Sequence, residues 1–230
     1  SRLDTYFRLG VRIIQLTYND RNLVGDGCLE PGDAGVSAFG RQVVERMNAL
    51  GIAVDLSHCG TRTTADGIQA SSKPPLITHS GCREVYRLPR SKEDRELKAM
   101  ADKGGVIGIY FMPFIGAGTS APTLEMLRRQ IDHALKVCGV DHVGIGSDLS
   151  TAPIQDTPEY LRAHESFVKA RAERGISAPD ESRPLYIPEL NHSRRLEGVA
   201  RSLQDKYPAA VIEKVIGGNF HRVLKEIWTM

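Results

Sequence analysis

Short apolar runs of strand length alternate along this chain with longer stretches whose apolar positions recur every third or fourth residue. Residues 1–10 read as the end of a helix, with Leu3, Tyr6, Phe7 and Leu9 apolar and Gly10 as its stop. Residues 11–18, VRIIQLTY, are rich in β-branched side chains and predict a strand. Residues 19–36 are crowded with Gly, Asn and Asp, which predicts a loop long enough to be functional. Ser37 is a good N-cap for a helix to residue 50, with Phe39, Val43, Met47 and Leu50 as its apolar stripe and Gly51 as its end. A strand over 52–56 leads to His58, a short helix over 61–71 follows, and a strand from 76 ends on His79. A charged helix over 91–103 precedes the continuous apolar strand 106–111, VIGIYF, the pattern of a strand covered on both faces. A helix over 123–138 with Leu124, Leu127, Ile131 and Leu135 on one side leads to strand 142–147, which delivers Asp148. From 151 to 191 the segment is polar and broken by prolines, with one helix over 159–174; helices near 196–203, 209–216 and 219–228 close the chain.

Strands that alternate with helices predict an α/β fold with a parallel sheet. Every strand ends in polar or ionisable groups: Tyr18 and Asn19, His58, His79, a polar turn after Tyr110, and Asp148. Polar groups gathered at the C-terminal ends of strands are the arrangement of a (β/α)8 barrel active site. Five strands do not close such a barrel, so the chain is either a piece of a longer protein or an open sheet.

The strand ends carry the candidate chemistry. Adjacent parallel strands lie roughly 4.8 Å apart, so His58 and His79 on consecutive strands can reach one metal ion, and neutral imidazole suits zinc. The bland alternative is two unrelated histidines bonded to backbone or water, since no compact motif such as HExxH is present. Asp148 is placed to ligate a metal or accept a proton from activated water, although Asp after glycines is also common in plain turns. Arg90, in the loop after His79, suits a substrate carboxylate; its bland alternative is a solvated surface arginine. His133, His142, His164, His192 and His221 have no strand-end partner and read as structural or surface residues. Gly217-Gly218-Asn219 reads as a helix stop followed by a new cap, not a phosphate loop.

Composition narrows the partners. At 230 residues and 41% hydrophobic the chain can bury a sizeable core. A net charge of +2, with basic residues scattered among acidic ones, argues against nucleic acid. No apolar run approaches the roughly 18 residues of a membrane span. The N-terminus lacks a signal peptide's apolar segment, and the C-terminus, VLKEIWTM, is too polar for a lipid-anchor tail. Four cysteines without a CxxC pair predict reduced, buried thiols and a cytoplasmic protein. A homodimer is the expectation for a soluble barrel enzyme.

The order GVRIIQLTYNDRN, GVSAFGRQVVERMNALGIAVDLSHCG, PPLITHSGCR, GGVIGIYF, GVDHVGIGSDL and GGNFHRVL resembles the membrane (renal) dipeptidase family of zinc peptidases. The likeness covers nearly the whole chain except 151–195. It implies a TIM-type (β/α)8 barrel in which a binuclear zinc centre activates a bridging water to hydrolyse dipeptides, some with a D-residue at the C-terminal position. It further implies that His58 and His79 bind one of the two metals, that Asp148 handles the proton, and that Arg90 holds the substrate carboxylate. Two departures qualify it. The family's remaining ligands, an HxD pair and a bridging glutamate, have no match here. On this reading residues 1–230 are the C-terminal part of a single barrel domain, its last five β/α units, with 151–195 a variable polar insertion. The chain alone is then expected to bind metal poorly and lack peptidase activity. Tyr18 also stands where the best-known members have a histidine that contacts the substrate carbonyl; its hydroxyl can still donate to an oxyanion. Two alternatives stay open: another metal-dependent hydrolase of this barrel type, acting on an amide, lactone or phosphoester, and a barrel that binds a ligand without turning it over.

Overall fold

The computed structural model describes residues 1–177 and 180–228. Thr229 and Met230, the end of the segment read as too polar for a lipid anchor, lie outside the described residues, as do Ala178 and Pro179 of the polar stretch. Five parallel strands, β1 (Ile13–Gln15), β2 (Ala53–Asp55), β3 (Leu76–Ser80), β4 (Val106–Ile109) and β5 (Val143–Ile145), lie in the sheet in their order along the chain. Helices α1 (Arg2–Arg8), α2 (Ala38–Leu50), α3 (Thr61–Ala70), α4 (Asp94–Asp102) and α5 (Leu124–Cys138) precede or link them. A strand order that never reverses is the winding of a barrel; a doubly wound open sheet reverses at a switch point. The sheet follows the first of these two orders.

Local chemistry sets the helix ends. The Ser37 side chain accepts from the Gly40 amide to start α2, and Gly51, at φ 69°, ends it in the left-handed conformation that glycine adopts without strain. Thr123 caps α5 through the Met126 amide. Glu93 and Glu96 form a reciprocal capping box at the start of α4. This box moves the helix start past the expected residue 91 and leaves Ser91 and Lys92 as buried chain ahead of it.

One core joins the sheet to α2, α3, α4 and α5 through Val44, Met47, Val54, Ile68, Ile77, Leu97, Met100, Ile107, Leu127 and Ile131. The α2 stripe differs from expectation: Gly40, Val44, Met47 and Asn48 face inward, whereas Phe39 is 52% exposed. The cause is steric, because the Val24 carbonyl lies where a Cβ on residue 40 would stand, so the glycine edge of the helix turns in.

After β5 come α6 (Pro158–Glu173), which buries no residue, then α7 (Arg195–Leu203), α8 (Ala209–Glu213) and α9 (Asn219–Trp228). The expected cap at Asn219 is corrected. Asn219 is itself helical, and its amide donates to the Val140 and Val143 carbonyls at 2.8 Å, sealing the start of β5. From there α9 runs beneath the N-terminal ends of the strands. Arg222 donates to the Gly104 and Asp141 carbonyls, and Trp228 Nε1 donates to the Arg12 carbonyl ahead of β1. Val223 and Ile227 pack on Ala53, Leu76 and Val106, closing that end with a second small core. No helix among the described residues is long and apolar enough to cross a membrane.

Candidate metal and substrate site

The opposite, C-terminal ends of the strands hold the site. Asp55 ends β2, and the chain then turns through Leu56 and Ser57 to present His58, which is 4% exposed. His79 lies within β3, where the pairing to β4 shifts register between Ile77 and Ser80. The two imidazoles meet: their Nε2 atoms are 3.1 Å apart and their ring centroids 5.1 Å apart. The bland expectation of unrelated histidines fails on this distance.

Each ring is held from behind. Asn19 donates its amide to the Ile176 carbonyl at 3.2 Å, which turns its Oδ1 toward His58 Nδ1 at 2.8 Å. His58 therefore carries its proton on Nδ1, and its Nε2 presents a lone pair. Tyr18 stacks on the same ring at 4.4 Å with its own side 50% exposed, so its first role in the structure is to wall His58. His79 Nδ1 lies 2.8 Å from the Thr78 hydroxyl. Burial, and then the Arg90 charge, push His58 well below the usual histidine range. Burial also lowers His79, with Asp148 pulling it the other way. Both imidazoles are thus neutral at pH 7, the form that ligates metal.

Arg90 is not a surface residue: it is 7% exposed and donates through Nη2 to His58 Nε2 and to the His79 carbonyl, both at 3.2 Å. Its guanidinium lies over the Tyr110 ring, 4.9 Å from the centroid, while its Nε has no partner among the described residues. Tyr110 is fully buried and its hydroxyl donates to the Phe114 carbonyl; burial pushes that hydroxyl up to about 12. Asp148 sits just past β5 at φ 59°, a conformation Asp tolerates better than most residues, and faces the same cavity.

That cavity, about 390 Å³, is floored by His58, His79, Arg90 and Asp148. A larger depression of about 670 Å³ lies around Asp132, His133 and Tyr207, and it collects none of the strand-end groups. All five residues singled out in the sequence, Tyr18, His58, His79, Arg90 and Asp148, line the smaller cavity. The polar stretch adds Phe167, Arg171, Glu181 and Leu185 to the lining. Arg171 donates to Glu181 at 2.7 Å in a nearly buried pair and lies over the Tyr18 ring. Arg183, 4% exposed, ties the stretch to the loop after β4 through the Pro113, Gly116 and Ser120 carbonyls. Asn19, Arg171 and Glu181 were not singled out as site residues. The partner of Asn19 lies 39 residues away, and only its adjacency to a strand end hinted at its part; Arg171 and Glu181 pair across ten residues of a stretch with no apolar rhythm.

The other histidines are elsewhere. His133 pairs with Asp94 at 2.7 Å between α5 and α4, and His142 meets the Gly105 carbonyl at 2.8 Å. The cysteines are free, with Cys59, Cys82 and Cys138 buried and Cys28 half-buried.

The donor set fits a zinc-type ion in part. Two neutral imidazoles converge through Nε2 with both Nδ1 atoms already engaged, as metal-ligating histidines usually are. Among the described residues, no group of three or more His, Cys, Asp or Glu side chains is arranged to hold a metal ion.

Comparison with known proteins agrees with this picture. Residues 1–180 match the family model for membrane dipeptidases, peptidase family M19. The dipeptidase verJ of Clonostachys rogersoniana is 30% identical over 231 residues, which span 96% of this chain and 55% of that protein. The chain therefore spans little more than half the length of that curated relative. An amidohydrolase from Pseudomonas aeruginosa has the same fold at a TM-score of 0.85 and 32% identity, covering 99% of this chain and 68% of its own. A metallo peptidase from Rhodobacter sphaeroides, liganded with a phosphinate mimic of the dipeptide L-Ala-D-Ala, gives a TM-score of 0.78 at 21% identity, covering 99% and 59%. The fold is α/β, of the TIM-barrel type.

Proposed function

The chain belongs to the membrane dipeptidase family, peptidase family M19, and on that premise we propose that it serves the zinc-dependent hydrolysis of dipeptides, including those with a D-residue at the C-terminal position. The observation that carries this reading is the 3.1 Å approach of His58 Nε2 to His79 Nε2 on the floor of a cavity that also holds Arg90 and Asp148. His58 and His79 would hold the metal. When bound, zinc supplies Lewis acidity and an activated water. Arg90, with an uncommitted Nε and an aromatic backing, pairs with the substrate's carboxylate. Asp148 takes up the proton released during attack and returns it to the leaving amine. Tyr18 offers its exposed hydroxyl to the developing oxyanion. The D-residue preference draws on the dipeptide mimic bound by the Rhodobacter sphaeroides metallo peptidase.

Two imidazoles are a partial donor set for a binuclear centre. By itself this chain is expected to bind zinc weakly and to hydrolyse dipeptides poorly. Zinc titration by calorimetry tests this: weak binding that disappears in His58→Ala and in His79→Ala supports it. Two tight sites per chain contradict the partial set, and metal content unchanged by both substitutions removes the site assignment.

A second reading, hydrolysis of a different amide or a lactone on the same barrel, rests on Tyr18 in place of a histidine and on the likeness to an amidohydrolase. A panel of dipeptides run against amide and lactone substrates separates the two.

A further inference from the structure

We infer that Asp55 and Thr78 are positioning residues that lock the tautomer of His79, so that its Nε2 presents a lone pair to the cavity. The inference rests on the reading of His58 and His79 as a metal site only for its consequence, not for its geometry.

Proton bookkeeping carries it. Asp55 is 3% exposed and its carboxylate takes four hydrogen bonds. Oδ1 accepts from the Ser57 amide at 3.1 Å, the Ser57 hydroxyl at 2.6 Å and the Thr78 amide at 2.9 Å. Oδ2 accepts from the Thr78 hydroxyl at 2.8 Å. Thr78 Oγ1 also lies 3.1 Å from Ser57 Oγ, but the other donors to Asp55 all reach Oδ1, so Oδ2, which has no proton to give, draws the single hydroxyl proton of Thr78. His79 Nδ1 lies 2.8 Å from that same oxygen. With the hydroxyl proton committed, Thr78 Oγ1 accepts, which places the ring proton on Nδ1 and leaves Nε2 bare, 3.1 Å from His58 Nε2, as two ligands of one ion would stand. Ser57 works in the same sense: its proton goes to Asp55, and its oxygen accepts from the His79 amide at 3.1 Å.

The arrangement exceeds what tying β2 to β3 requires. The backbone bonds between the strands and the Asp55 contact to the Thr78 amide already do that. The Thr78 hydroxyl adds a directional link from a buried carboxylate to one ring nitrogen. His58 has a separate holder, the Asn19 amide, and so serves as an internal control.

Thr78→Val keeps the shape and branching of the side chain and removes only the hydroxyl; Thr78→Ser keeps the hydroxyl. The test is ¹⁵N NMR of the histidine rings in metal-free protein at neutral pH, with zinc titration alongside. Wild type and Thr78→Ser are expected to show His79 as the Nδ1-protonated tautomer. Thr78→Val should show a mixture at His79 with His58 unchanged, and a zinc affinity lower by about tenfold to a hundredfold, the usual cost of losing such a support. An Nε2-protonated His79 in wild type overturns the inference, as does a Thr78→Val protein whose His79 tautomer and zinc affinity match wild type. If Thr78→Val does not fold, the wild-type and Thr78→Ser tautomers decide. Loss of zinc binding in wild type would remove the metal reading, while the tautomer of His79 would still test the relay.

Discussion

Arg90 and His58 share a hydrogen bond in which Nη2 of the arginine donates to Nε2 of the imidazole at 3.2 Å. The lone pair that accepts it is the one a metal ion would use. Arg90 is therefore both the cation nearest the ligand atom and a competitor for it, and it must withdraw toward its second acceptor, the His79 carbonyl, for His58 to ligate. Arg90→Met removes the competitor. Zinc affinity measured by calorimetry is expected to rise about fivefold, the value of a hydrogen bond worth roughly 1 kcal/mol. Affinity for a carboxylate ligand such as a dipeptide phosphinate is expected to fall. A drop in zinc affinity would mean that Arg90 supports the site.

The buried imidazoles set a pH dependence of stability. Burial lowers both His58 and His79 in the folded protein, whereas in the unfolded chain they titrate near the ordinary histidine value of about 6.5. Below that pH the unfolded state binds more protons than the native state. The stabilising contribution is thus complete above the unfolded pKa and is lost on acidification. Each imidazole costs up to about 1.4 kcal/mol per pH unit in that window. Urea midpoints should fall between pH 7 and pH 5.5, and His58→Gln should shrink the fall. Midpoints that stay flat would contradict the assignment.

Lys92 is 1% exposed, and its Nζ donates to the Cys59 carbonyl at 2.8 Å and to the Thr64 hydroxyl at 2.9 Å. Its charge also offsets part of the burial that raises the nearby Glu96 carboxyl. Lys92→Met fills the volume but leaves the Cys59 carbonyl with only the longer 3.4 Å bond from the Thr64 hydroxyl, and leaves Glu96 without that offset. A loss of about 3 kcal/mol is expected, in the range for breaking a buried charged contact; urea denaturation checks it. A loss under about 1 kcal/mol would indicate that water replaces the ammonium.

At Gly146, just past β5, a Cβ would stand 1.7 Å from the Thr78 carbonyl. The last strand can approach β3 this closely only because no side chain intervenes. Gly146→Ala is therefore expected to push β5 away and move both Asp148 and Thr78. A destabilisation of about 3 kcal/mol would be typical of overpacking at a rigid site, and the His79 ring resonances should shift more than those of His142. Unchanged stability would show that the strands can separate at no cost.

The parts of this molecule legible in the sequence are those decided by near neighbours. Ser37 and Gly51 bound α2 because a cap needs only the amide three residues on and a glycine that can turn left-handed. His58, His79 and Asp148 could be picked out because strand ends are local features, and parallel strands put their ends on one side. Asn19 could not be assigned as the partner of His58, nor Asp55 as the partner of Thr78, since these bonds cross gaps of 39 and 23 residues that no periodicity encodes. The rest of the cavity's lining was equally hidden. With no residue of α6 buried, the stretch carrying Phe167 and Arg171 has no apolar rhythm to read, and polar contacts such as Arg171 to Glu181 hold it in place. Phe39 misled for a related reason: its stripe fits a helix, but a carbonyl from another loop decides which edge turns inward.

The helix beneath the strands has a mechanical meaning. Held at one end by Asn219 against β5 and at the other by Trp228 against the residue before β1, α9 is a chord drawn across an arc. A chord of fixed length sets the arc's radius. The spread between the outermost strands is thus gauged on the far side of the sheet from the imidazoles, by residues that never meet a ligand.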